Sequence, residues 1–281
     1  MAARHFNPLF LASLLALLAP VPALEIENLG RLNTSLSEIL NLHSFELLAE
    51  ANGADDHEKL NMTSRLSYGS THENNIRDCS DLPPNSPSGT YAIQPRGYKV
   101  IMVYCEMDES GGGWTVIQRN RQDTDVNWAE TWSAYRQGFG NLKGEFWLGN
   151  EYIYQIAMQR SYQVKFIIWD ASNNKLFADY NMFRLDDESQ GYRLRLGAHS
   201  GTAEDAMALL NNSIIHDNMK FSTKDRDQDT FSGNCASNSG GGWWYSACYS
   251  VLLNFEGPLT WGDSCQANCQ ASTILIKPLK C

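Results

Sequence analysis

Several things are scarce in this chain. Only two histidines, His199 and His216, follow residue 79, and no Cys-x-x-Cys pair occurs anywhere. A zinc site built from cysteine and histidine is therefore not expected. Positive charge is also in short supply: 22 Lys and Arg stand against 32 Asp and Glu, a net charge of −10. Nucleic acid, whose phosphates demand a cationic face, is not an expected partner. The motifs GxSxG, HExxH, the P-loop and the dinucleotide fingerprint are all missing, which argues against the common hydrolase and nucleotide enzymes. Long apolar runs are missing too, apart from residues 9–19. That run follows the basic Arg4, is too short to span ~30 Å of hydrocarbon, and leads into Val21-Pro22-Ala23. It reads as a secretory signal peptide over 1–23, and a secreted, extracellular product with no transmembrane segment is expected.

What is present divides the chain near residue 78. All eight tryptophans lie between Trp114 and Trp261, and all seven cysteines lie at or after Cys79. Before that point Leu29, Leu32, Leu36 and Ile39 keep a helical spacing. The pattern is too short for a lasting coiled coil, so a short helix over 24–49 and a flexible linker over 50–76 are expected. Asn33, Asn61 and Asn211 each open an Asn-x-Ser/Thr acceptor for glycosylation. From 77 to 281 short apolar runs alternate with turn clusters. "YKVIMVYCEM", "GWTVIQRN" and "YQVKFIIWDA" read as strands. "NWAETWSAYRQGFG" and "TAEDAMALLNNS" read as helices. The irregular alternation suggests α+β. In an oxidising compartment the cysteines should mostly pair, and seven leaves one over.

The stretch "DRDQDTFSGNC" (225–235) carries aspartate at 225, 227 and 229. Read as an EF-hand it fails: position 6 would be Thr230 where Gly is needed, and position 12 would be Ala236 where Glu is needed. By spacing alone it is either a looser calcium loop or a solvated acidic turn.

"SGGGWTVIQRNRQDTDVNWAETWSAYRQGFGNLKGEFWLGNEYIYQI" and "MKFSTKDRDQDTFSGNCA…GGGWWYSAC" closely resemble the fibrinogen C-terminal, or fibrinogen-related, domain. The likeness runs over about 77–257, with a weaker match in "STILIKPLK". It is similar to fibrinogen-like and angiopoietin-like proteins and to ficolins. The resemblance implies one globular α+β domain over 77–281, with a mixed, mainly antiparallel sheet, short helices and disulfide-stapled loops. It implies the pairs Cys79–Cys105 and Cys235–Cys248. It also implies a structural Ca2+ held by the side chains of Asp227 and Asp229 and the carbonyls of Phe231 and Gly233, with Asp225 as a nearby charge. Beside that loop the family keeps a ligand pocket and a cis peptide before the cysteine, here Asn234–Cys235. Asn234, Cys235, Tyr245 and Tyr249 are the candidate pocket residues. Trp243 and Trp244 are expected in the core, their indole N–H groups tied to backbone.

The chain departs from the family after Cys248. Tyr249 replaces the usual histidine, and only "PLTWGDSCQANCQA" (258–271) stands where a longer pocket-completing segment is expected. Cys265, Cys269 and Cys281 are additions, with three intrachain pairings open. The leftover thiol could link a homodimer. The expected function is a secreted, calcium-stabilised recognition module, not an enzyme, acting as a protein ligand for an extracellular or cell-surface partner. The alternative is a ficolin-like lectin for acetylated glycans.

Overall fold

The computed structural model describes residues 76–208 and 214–279. The signal segment, the 24–49 helix, most of the linker, Asn33, Asn61, Asn211 and Cys281 lie outside the described residues.

A ten-stranded antiparallel sheet forms the frame. Its main path is β1 (Gly89–Ile93), β2 (Ile101–Glu106), β3 (Trp114–Arg121), β13 (Ala271–Pro278), β6 (Tyr162–Trp169), β7 (Lys175–Leu185) and β8 (Leu194–Leu196). Two short strands, β4 (Phe139–Gly140) and β5 (Phe146–Trp147), add on beside β3, and β9 (His199–Gly201) pairs with β7. The three runs read as strands supply β2, β3 and β6. Burial along β2 alternates, with Ile101, Val103 and Cys105 inside, as a half-covered strand requires. Along β6 and β13 burial is nearly continuous because both faces are covered. A second sheet of three strands, β10 (Val251–Leu252), β11 (Leu259–Trp261) and β12 (Cys265–Cys269), is built from the departing C-terminal segment.

Three short α-helices interrupt this frame. Helix α1 (Trp132–Gln137) lies inside the expected 127–140 stretch. The Thr131 side chain accepts from the Ala134 amide to cap its start, and Gly138 at φ 87° ends it. Helix α2 (Asn150–Ala157) buries Ile153, Ile156 and Ala157 on one face. Helix α3 (Cys235–Ser239) begins at Asn234, whose side chain accepts from the Ser237 amide.

Residues 202–208, expected to open a helix, are turns instead. Tertiary partners take the carbonyls a helix would use. Glu204 O accepts from Trp261 Nε1, Ala206 O from the Ser250 hydroxyl, and Met207 O from the amides of His216 and Asp217. Propensity yields here to those bonds.

The core is unusually aromatic. Trp128, Trp147, Trp243, Trp244, Trp261, Tyr135 and Phe221 are buried, and rings of Tyr135, Trp147, Phe221 and Trp244 meet edge-on or tilted at 5.1–5.9 Å. The second "GGGW" packs directly on this cluster. A Cβ on Gly241 would lie 1.7 Å from Asn254 O, and one on Gly242 would lie 2.6 Å from the Tyr135 ring. Glycine is needed there for close approach.

Candidate functional site

The segment from 222 to 250 is held against the core by bonds from single side chains. The 223–226 turn closes through paired backbone bonds between Thr223 and Arg226. Asp225 then faces away from its two neighbours: its Oδ1 accepts from the Trp132 amide at 2.8 Å and the Thr223 hydroxyl at 2.7 Å. Burial pushes its carboxyl up, but these two bonds outweigh it and the group ends below the ordinary value. Asp225 thus anchors the loop to the start of α1. The Trp132 ring closes the contact, stacked on Tyr192 and capped by the Arg226 guanidinium 3.9 Å from its centroid.

Asp227 and Asp229 stay together. Asp227 Oδ1 accepts from the Asp229 amide at 3.3 Å. Asp229 spans the loop, accepting from the Phe231 amide at 2.9 Å and the Cys235 amide at 2.8 Å. Burial pushes the Asp229 carboxyl above its ordinary value, and the charge of Asp227 adds to this, against the pull of the two amides. Neither carboxylate has a Lys or Arg partner among the described residues. The expected ligands, the Asp227 and Asp229 carboxylates with the carbonyls of Phe231 and Gly233, would offer oxygen donors only, the kind a hard cation such as Ca2+ takes. Among the described residues no group of three or more His, Cys, Asp and Glu side chains comes together as a metal cluster.

The neighbouring candidate pocket residues are placed as follows. Cys235 is buried in a disulfide with Cys248, and the Thr230 amide donates to Ser246 O just before that bridge. The Asn234–Cys235 bond is trans, since no cis peptide occurs among the described residues; Asn234 instead adopts an extended backbone and caps α3. This corrects the expected cis bond. Tyr245 is fully buried with its hydroxyl committed to Gly241 O at 2.7 Å, while Tyr249 and Phe231 are exposed. Trp243 and Trp244 are both core residues. Trp244 Nε1 donates to Tyr192 O, but Trp243 Nε1 has no partner among the described residues, so of the two only Trp244 is tied to backbone there.

Two more disulfides, Cys79–Cys105 and Cys265–Cys269, complete the set among the described residues. The second selects one of the three open pairings and removes both cysteines as intermolecular links.

One residue beside the site was missed. His216 is fully buried. Its Nδ1 donates to Trp244 O at 2.8 Å, which leaves Nε2 to accept from the amides of Ser250 and Val251 at 3.2 and 3.0 Å. Burial pushes its pKa down to about 4, so the ring is neutral. In sequence it was a lone histidine with no motif around it.

Residues 75–273 match the family described as fibrinogen beta and gamma chains, C-terminal globular domain. The chain belongs to this family. Fibrinogen-like protein 1-like protein of Gallus gallus is 48% identical over 190 residues, 67% of each chain. Angiopoietin-related protein 1 of Mus musculus is 42% identical over 179 residues, 63% of this chain but only 35% of the relative. Among solved structures, the fibrinogen-like globe domain of human ANGPTL6 superposes with a TM-score of 0.67 at 37% identity, covering 73% of this chain and 96% of that one. A lamprey fibrin D-dimer complexed with the peptide ligand Gly-His-Arg-Pro-amide gives a TM-score of 0.65 at 26% identity, covering 90% and 93%. The 225–235 loop and the Cys235–Cys248 bridge of this chain thus sit on a fibrinogen-like fold. No helix of the described residues is long and apolar enough to cross a membrane.

Proposed function

We propose that this protein is a secreted, calcium-stabilised recognition module that acts as a protein ligand for an extracellular or cell-surface partner. The observation that carries this reading is the Asp229 clamp. One carboxylate, held next to Asp227, fastens the acidic loop to the first residue of α3 and so to the Cys235–Cys248 bridge. Ca2+ bound by Asp227, Asp229 and the carbonyls of Phe231 and Gly233 would offset the repulsion between the two carboxylates. It would also set the exposed Phe231 and Tyr249 as a rigid surface. Membership in a family with a peptide-complexed member supports protein recognition over catalysis. Secretion rests on the 1–23 segment and the paired cysteines.

A thermal melt of the full chain in Ca2+ and in chelator tests the first half. Saturating Ca2+ at a hundred times its Kd adds about 2.7 kcal/mol, and Asp227→Asn with Asp229→Asn should abolish the shift. Equal melts in both buffers would remove calcium from the function. Binding to protease-treated and glycosidase-treated cells tests the second half. Loss after protease alone supports a protein partner; loss after glycosidase alone, or Ca2+-dependent capture on acetylated glycans, would replace it with the lectin reading.

A further inference from the structure

A concave site on the main sheet is lined by no residue of the acidic loop. It is a cavity of about 350 Å3 lined by Ser110, Trp114, Gln163, Lys165, Asp179 and Lys277. Strand register explains the grouping. β6 and β7 place Lys165 directly opposite Asp179, and β13 and β6 place Lys277 opposite Gln163. Alternation along β6 puts Gln163 and Lys165 on one face. In β3, Val116 pairs with Leu275, the residue that also faces Lys165, so Trp114 two residues before it shares that face. Four neighbouring strands thus contribute one row of polar side chains to one face of the sheet.

The chemistry of the row is cationic in a chain whose net charge is −10. Lys165 is 4% exposed and Lys277 is 8% exposed, against a single lining carboxylate. Lys165 Nζ lies 2.8 Å from both oxygens of Asp179, an ion pair that engages both sides of the carboxylate. Lys277 donates to Gly112 O. Both ammonium groups approach the Trp114 ring, at 5.7 and 5.5 Å from its centroid. Trp114 is 3% exposed and its Nε1–H is buried with no partner among the described residues. The outer neighbours Glu109 and Lys175 pair with each other and add no net charge. Buried lysines are a costly way to fill space, since apolar side chains of similar volume pack there with no desolvation loss. An unused indole donor beside two buried ammonium groups is the arrangement that receives an oxyanion.

We propose that this cavity is a binding subsite for a single carboxylate or sulfate group carried on a body no larger than a monosaccharide. The anion is placed to accept from Trp114 Nε1–H between the charges of Lys165 and Lys277. The volume sits at the small end of ligand pockets, which sets the size of the body. The site is independent of calcium and of the acidic loop.

The test is a titration of the full chain, labelled with 15N at tryptophan, following the Trp114 indole N–H resonance identified by its loss in Trp114→Phe. Sodium glucuronate, sodium sulfate, glucose and sodium chloride are added at matched ionic strength. The expected result is a saturable shift of that resonance with glucuronate or sulfate and none with glucose or chloride. Tighter binding of glucuronate than sulfate assigns an acidic sugar; the reverse order assigns a sulfate group. Lys165→Met weakens binding roughly ten-fold or more, while Arg121→Ala, which removes an exposed cation outside the cavity lining, leaves it unchanged. A Trp114 resonance that does not respond, or that responds equally to chloride, overturns the proposal. The wild-type titration decides this even if Lys165→Met does not fold.

Discussion

The sheet β3–β13–β6–β7 and the loop region from 202 to 270 are stabilised in different ways. In the sheet, order comes from many equivalent ladder bonds: β13 pairs with β6 over eight residues, from Ala271–Trp169 to Pro278–Tyr162. No single residue holds it. In the loop region one side chain often holds several backbone groups at once. His216 serves Trp244, Ser250 and Val251; Glu204 Oε1 accepts from the amides of Asp263 and Ser264; Asn120 Nδ2 donates to the carbonyls of Leu253 and Phe255. The lesson is that a surface of irregular loops can be as fixed as a sheet, but its stability is concentrated in a few polar residues and is easier to lose.

That contrast can be broken most sharply at His216. His216→Ala leaves three buried backbone groups without a partner, and a loss on the order of 4 kcal/mol is expected in urea unfolding. Ile276→Ala in β13 also creates a cavity and costs about 3 kcal/mol, but the surrounding ladder bonds remain. Hydrogen exchange separates the two. The histidine variant should lose protection locally around 244–251, whereas the strand variant should lower protection across the whole sheet. A uniform loss in both would erase the distinction between the regions.

The same histidine sharpens the comparison through pH. Its folded pKa, about 4, lies below the ordinary 6.5. The neutral ring is therefore favoured by folding, and its contribution is complete above pH 6.5. It is lost as pH falls from 6.5 toward 4, at about 1.4 kcal/mol per pH unit. His216→Gln should flatten the stability profile across that window relative to the parent chain. Identical slopes would show that carboxylates alone set the acid limit.

The disulfides come next. Opening Cys235–Cys248, with a separation of 13 residues, should cost about 3 kcal/mol, and opening Cys265–Cys269, with a separation of 4, about 2 kcal/mol, by chain entropy. Paired Cys→Ser variants measured by thermal unfolding check the order; a larger loss from the shorter loop would mean that native contacts dominate over chain entropy. The smallest effect is expected on the sheet's outer surface. Arg121 and Glu145 form an ion pair 2.8 Å long with the arginine side chain 57% exposed. Arg121→Ala should cost about 0.5 kcal/mol, and less in high salt.

Legibility followed the same division. The runs 98–107, 113–120 and 162–171 announced strands because alternation or β-branched density is a local property, and β2, β3 and β6 formed there. Helix α1 carried its own cap and stop signals in Thr131 and Gly138. The segment 202–208 misled because its Ala, Glu and Met residues favour a helix locally, while the bonds that decide its shape come from outside it, from His216 and, farther along the chain, Ser250 and Trp261. The acidic loop was recognisable by its spacing and family likeness. The separate direction taken by Asp225 depends on the Trp132 amide, 93 residues away in sequence. The row Trp114–Lys277–Lys165–Asp179 was invisible, because only strand register unites residues from four separate runs.

One feature of the sheet bears on how the molecule comes into being. Strand β13 follows all the others in sequence yet lies in the middle, between β3 and β6. While the chain is emerging from a ribosome, β1–β2–β3 and β6–β7–β8 can form only as two separate ribbons, each with an open inner edge. Open edges invite pairing with other chains, and closure waits for residues 271–278, across contacts more than 100 residues apart between β13 and β6. Nascent and prematurely terminated chains are thus the stage at which this protein most needs a chaperone, and a stop codon shortly before Ala271 would yield an aggregating product instead of a slightly shortened domain.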